Sequence, residues 1–212
     1  MKRRMETREK ISTMPEVPGL EFDEAGHIYR LDDIIIPSVS AVMAPLSKVK
    51  YDGINSRTLE KAAGKGTAVH NAIENWLKFD IEDVPPEHQG YFDAFQIWWD
   101  KYKPEVVGSE IRMCHRLMRY AGTADLVAYI DSELTLVDYK TTYTISDMTC
   151  GVQLEAYAQA LENMGVKVQK KGILHLKKDG TYEFRGYPIK DVDRWRVFGA
   201  LKMVYDYIES FE

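Results

Sequence analysis

The sequence predicts an α/β domain with a central mixed sheet and helices on both of its faces. Three observations carry this. The middle of the chain, from Val106 to Lys140, is a succession of strand-like runs; stretches with helical spacing precede and follow it; and a further pair of strands lies between the last two helical stretches. No GxGxxG follows a strand at a helix start, so a dinucleotide-binding Rossmann arrangement is set aside.

A chain of 212 residues that is 45% hydrophobic is expected to form one domain with a substantial core, read here as residues 13–212 after a flexible tail over 1–12. The start MKRRMETREK has acids among its bases and no apolar centre, and no stretch approaches a membrane span, so neither a targeting segment nor a membrane is expected. Cys114 and Cys150 stand far apart and cannot supply a four-ligand zinc or iron–sulfur site, which suits a reduced, cytoplasmic setting. A net charge of −5 argues against bulk coating of nucleic acid but leaves room for a local basic groove.

The first element expected is a short hairpin around Ala25-Gly26, whose apolar run Ile34 to Ile36 is stopped by Pro37, after which Ser38 caps a short helix. From Ser56 to Phe79 the apolar spacing is helical, and Gly64-Lys65-Gly66 suggests two helical pieces meeting there. Tyr91, Phe92, Phe95, Trp98 and Trp99 give the stretch 87–102 a crowded aromatic face, read as core packing in preference to a base-stacking platform, with Pro104 ending the helix.

The sheet is expected from VVGSEIRM, HRLMRYAG, TADLVAYI and LTLVDYK. A helix from about Cys150 to Met164 follows and stops at Gly165. The strands GILHLKK and TYEFRGYPI turn at Asp179-Gly180, and a final helix runs from about Asp191 to Glu209.

Along LTLVDYK, Leu134, Leu136, Asp138 and Lys140 share one face, so an apolar strand ends by presenting an acid and a lysine together. If the preceding loop is just Asp131-Ser132, Ile130 faces Glu133 and Asp125 falls opposite Asp138; a three-residue loop would put Asp125 opposite Tyr139. An even register, or a bulge that restores it, is expected. Two converging carboxylates make a hard-oxygen site for Mg²⁺ or Mn²⁺, and a lysine beside them can orient or deprotonate a water and offset charge growing on phosphorus. Taken alone, an acid–x–Lys at a strand end is equally a solvated ion pair.

His70 and Glu74, four apart on a helix, share a face, as do Gln153 and Tyr157. On spacing alone His70 is an ordinary helix histidine and the Gln153–Tyr157 pair a surface hydrogen bond. Candidate phosphate contacts are Arg57, Lys61, Lys65, Arg112, Arg116 and Arg119. Thr141 and Thr142 could add hydrogen bonds.

Six pieces in order, PSVSAVM, GKGTAVHNAIE, SEIRM, AGTADLV, LVDYKT and QLEAY, cover Pro37 to Tyr157 and resemble the RecB-type branch of the PD-(D/E)xK nuclease superfamily, which includes phage exonucleases and the mitochondrial genome maintenance exonuclease. The resemblance implies a restriction-endonuclease-like fold. It implies Asp125, Asp138, the Tyr139 carbonyl and His70 as ligands of one or two Mg²⁺ or Mn²⁺ ions, with Glu110 supporting the metal or its waters. Lys140 would be the catalytic lysine, and Gln153 and Tyr157 would help position it or the DNA strand.

The resemblance further implies an exonuclease acting on single strands or duplex ends in recombination, repair or replication, beside a single-strand annealing recombinase, in the cytoplasm of a bacterium or a phage-infected host. The segments 52–66 and 87–102 are then candidates for an arch over the strand. Two other classes remain open: a nuclease-fold DNA-binding module without hydrolysis, against which the intact acids and lysine count, and a protein-interaction domain.

Overall fold

A computed structural model describes residues 13–211, so the tail expected over 1–12 lies outside the described residues. The chain opens with a three-stranded antiparallel sheet of β1 (Leu20–Asp23), β2 (Ile28–Leu31) and β3 (Ile34–Ile36). The expected hairpin gains its third strand because Asp32 and Asp33 both take positive φ, closing a two-residue turn that short polar side chains tolerate. Tyr29, Leu31 and Ile36 then pack on Cys114 and Ala121 of the main sheet. Ser38 Oγ accepts the Ala41 N–H at 3.0 Å and starts α1 (Val39–Val42), which leads into α2 (Ala44–Lys50).

Helix α3 (Ser56–Phe79) is one continuous helix of 24 residues, not two pieces meeting at Gly64-Lys65-Gly66. Each interior glycine costs about 1 kcal/mol relative to alanine. Asn55 caps the start by accepting the Arg57 N–H, and the buried Val69, Ala72 and Ile73 anchor the second half, so the break is suppressed. After a 3-10 turn at Pro86–His88 comes α4 (Gln89–Tyr102), whose Tyr91, Phe92, Phe95 and Trp98 are buried, in agreement with the core reading of that stripe. With that face held on the sheet, 87–102 is not a free-standing arch. The first half of α3 is largely exposed.

The main sheet has the order β4 (Glu105–His115), β5 (Tyr120–Ile130), β6 (Glu133–Lys140), β7 (Lys170–Leu176) and β8 (Tyr182–Tyr187). The segment HRLMRYAG is not a strand of its own. Its centre is the turn between β4 and β5, where Arg119 has positive φ and Leu117 is exposed, and its ends belong to those two strands. β6 and β7 run parallel, joined through α5 (Asp147–Asn163), while the other neighbours are antiparallel. The chain described ends with α6 (Val192–Glu209), capped by Asp191.

Helices cover both faces. On one, α3 and α4 pack on Leu126, Ala128, Val137 and Leu174; on the other, α1, α5 and α6 pack on Val127, Leu134, Leu136 and Ile173. This is the mixed α/β architecture the alternation predicted, of restriction-endonuclease-like type. Among the described residues no helix is long and apolar enough to cross a membrane.

Candidate active site

The loop between β5 and β6 is Asp131-Ser132, both with positive φ, and it pairs Ile130 with Glu133 and Leu126 with Val137. This is the even register, and one further step along it sets Asp125 across from Asp138. The ladder changes character there. Asp125 Oδ2 accepts the Tyr139 backbone N–H at 2.6 Å, so a buried carboxylate takes the place of a strand partner.

On the other side of Asp125 lies Glu110. The flanking pairs are Ser109 with Leu126 and Ile111 with Ala124, and Glu110 between them has φ 51°, a left-handed conformation that non-glycine residues rarely adopt inside a strand. Such strain costs on the order of 1–3 kcal/mol and persists where the surroundings hold it. Here it belongs to the residue whose carboxylate converges with His70 and Asp125, the ligand atoms of all three lying within 4.8 Å of one another.

His70 comes from α3. Its Nδ1 is 3.3 Å from Asp125 Oδ1 and its Nε2 is 3.2 Å from the Tyr139 carbonyl. Both ring nitrogens face acceptors, which is the arrangement of an imidazolium. Burial by itself would lower the pKa of His70, but the Asp125 carboxylate, by charge and hydrogen bond, raises it to about 9. Burial would likewise raise Asp125; His70, Lys140 and the Tyr139 N–H together hold it below the ordinary aspartate value. Glu110 is compensated only in part: burial and the charge of Asp125 push it up to about 7, against the opposing charges of His70 and Lys78.

Asp138 and Lys140 stand beside this group as a pair. Lys140 Nζ is 2.5 Å from Asp138 Oδ2, yet that buried oxygen has no hydrogen bond of good geometry. Burial, only partly offset by Lys140, lifts Asp138 to about 6. Lys140 itself is shifted up despite burial, because Asp138 and Asp125 favour its ammonium form.

The sequence-predicted residues therefore fall into neighbouring sets: His70, Glu110 and Asp125 as converging donors, Asp138 with Lys140, and the Tyr139 backbone between them. Glu74 pairs with Lys78 instead of His70. Gln153 Nε2 donates to Tyr157 Oη at 3.1 Å, and the Tyr157 ring lies under Gly122, where a Cβ would come within 2.8 Å of it. Arg112 is paired with Glu24, and Arg116 with Asp32 near the small sheet. Sequence reasoning missed Lys177 and Lys178 near this end of the sheet; their only signal was the KK before the Asp179-Gly180 turn.

Donors around a divalent ion with metal–oxygen distances of about 2.1 Å stand no more than roughly 4.2 Å apart, so the three groups need only a small closure to hold one. The buried Asp138 oxygen without a well-aligned hydrogen bond and the upward shift of Glu110 fit a site whose negative charge calls for a cation. Carboxylates with an imidazole suit a divalent metal ion.

A family model described as "PD-(D/E)XK nuclease superfamily" matches residues 87–198. No curated protein matches the chain. A solved structure titled "Crystal structure of SSO0001" is 11% identical with a TM-score of 0.34, over 66% of this chain and 74% of that one, a likeness too loose to carry an argument.

Proposed function

Because the chain belongs to the PD-(D/E)XK nuclease superfamily, we propose that it is a divalent-metal-dependent deoxyribonuclease, acting as an exonuclease. The observation that carries this reading is the convergence of His70, Glu110 and Asp125 within 4.8 Å beside the Asp138–Lys140 pair. A bound Mg²⁺ or Mn²⁺ would supply Lewis acidity and a water acidified toward neutrality.

The chain's own residues do the rest. Asp125, kept ionised, is fixed by the Tyr139 N–H and cannot swing away from its neighbours. His70 is oriented from both sides, by Asp125 and by the Tyr139 carbonyl. Lys140, held as an ammonium, orients the attacking water and offsets charge on the phosphoryl oxygens; its raised pKa favours that role over proton abstraction. Gln153 and Tyr157, bonded to each other, position the lysine or the strand.

Exonuclease action, a place in recombination beside a strand-annealing protein and a cytoplasmic setting rest on the likeness of the six motif pieces to RecB-type enzymes. End-labelled single- and double-stranded DNA with Mg²⁺ or Mn²⁺ provides the test, against Lys140→Ala and EDTA. Mononucleotides or short oligomers from the wild type alone support the reading. DNA that is bound but left intact with every metal would replace it with a binding module.

A further inference from the structure

Past the Lys140 end of β6 a cleft of about 350 Å³ opens between α3, the Thr141–Tyr143 segment and the end of β7. It lies at the carboxyl ends of the parallel pair β6 and β7, the part of an α/β sheet where diverging loops leave room for ligands. Its walls include Lys65, Tyr143, His175, Lys177 and Lys178. The one carboxylate among the lining residues, Asp179, is already engaged by the backbone and hydroxyl of Thr181. In a chain of net charge −5, this is a local concentration of cations beside a cluster of acids.

The walls are fixed. Lys65, five residues before His70 on α3, donates to the Thr141 carbonyl at 2.7 Å and sits 4.9 Å from the Tyr91 ring centre. His175 Nε2 donates to the Thr142 carbonyl at 2.7 Å. Directly after these anchored residues, Tyr143 is 97% exposed. An isolated exposed ring is ordinary, but this one stands on a clamped backbone next to three lysines. The start of α4 touches the turn after β7 so closely that a Cβ at Gly90 would lie 2.0 Å from the Lys178 carbonyl, which sets the lysine backbone in place. Among the described residues neither Lys177 nor Lys178 makes an ion pair, although Lys177 is near enough to Asp179 to help Thr181 hold that carboxyl below its ordinary value, and both lysines line the cleft.

We propose that this cleft is the subsite for one unpaired nucleotide of a single-stranded DNA, adjacent to the phosphate that is cut. Lys177 and Lys178 pair with backbone phosphate oxygens, and Tyr143 stacks on the base. The size fits one small ligand and not a duplex. The inference rests on the nuclease reading and adds that the strand passes this side of the centre unpaired.

The test is fluorescence anisotropy of a labelled single-stranded oligonucleotide in EDTA, at several salt concentrations. Removing two phosphate contacts should lower the slope of log affinity against log salt by about 1.4 for a single strand. That loss is expected for the pair Lys177→Ala and Lys178→Ala, with the slope regained in Lys177→Arg and Lys178→Arg. Lys167→Ala with Lys190→Ala, on another surface, should leave it unchanged. Tyr143→Ala should weaken binding about tenfold and Tyr143→Phe should not. An unchanged slope in the double alanine variant, with wild-type binding and cleavage intact, overturns the subsite and leaves the nuclease reading standing. A wild type that neither binds nor cleaves DNA removes both.

Discussion

Asp125 and His70 are joined edge to edge: Asp125 Oδ1 lies 3.3 Å from His70 Nδ1, while the other carboxylate oxygen is held by the Tyr139 N–H. The charge on each maintains the charge on the other. Asp125→Asn keeps an acceptor for the Tyr139 amide but removes the anion. Burial, the largest influence on His70, then acts with little opposition, so the imidazole in the metal-free variant should titrate below its ordinary 6.5 instead of near 9. A histidine proton NMR titration reads this directly, and a value still near 9 would show that Asp125 is not the cause. Cleavage should fall at least about 100-fold, since loss of groups that merely support a ligand already costs 10–100-fold.

Metal affinity should rise with pH. A cation displaces the protons held on its ligands. Between about pH 7 and 9 the protonated group is His70, so affinity should climb about tenfold per pH unit, and more steeply below 7, where Glu110 also holds a proton. In EDTA the sign reverses. Glu110 and His70 both have folded pKa values above their unfolded ones, so the folded state holds the extra protons and metal-free stability declines as pH rises from about 4.5 toward 9. Calorimetric titration with Mn²⁺ at pH 6.5, 7.5 and 8.5, paired with unfolding curves in EDTA, checks both trends. A pH-independent affinity would exclude His70 and Glu110 as ligands.

Lys140→Ala should abolish cleavage and spare much of the stability at pH 7. Asp138, 3% exposed, cannot remain charged without its partner, but it can take a proton. Its pKa is already about 6 with the lysine in place and rises when the ammonium is lost. The added cost is then about 1.4 kcal/mol for each pH unit above 6. Urea unfolding should therefore show a small deficit at pH 6 that grows to roughly 3 kcal/mol at pH 8. A deficit that does not vary with pH would mean that Asp138 stays ionised.

How much of this was legible in the sequence depended on whether a local rule governed each element. The hairpin register is the even one expected if the loop is Asp131-Ser132, pairing Leu126 with Val137 one step before Asp125 and Asp138. Ser38 showed itself as a cap, and the final helix starts where expected, with Asp191 capping it. Gly64 and Gly66 misled, because the penalty for glycine in a helix is small beside the packing of the residues that follow. The left-handed backbone at Glu110, between the Ser109–Leu126 and Ile111–Ala124 pairs, has no signature in SEIRM. Lys65 reads from the sequence as a candidate phosphate contact, but its anchoring to Thr141 depends on α3 crossing the end of β6, which no spacing along the chain reveals.

The same is true of Glu155 and Lys171, an ion pair with both side chains 1% exposed that links α5 to β7 across the core. Gln159 donates to the other Glu155 oxygen at 2.9 Å, so the carboxylate is bonded on both sides. Removing one partner leaves a buried charge or forces a proton change, and Lys171→Met should cost about 3–5 kcal/mol. Replacing both, with Glu155→Leu and Lys171→Met, removes the desolvation penalty of each ion along with their attraction, so the double variant should regain most of that loss. Urea unfolding of the two single variants and the double gives the coupling energy. If the double variant is as unstable as the sum of the singles, the pair is not coupled, and its place in the core would need another account.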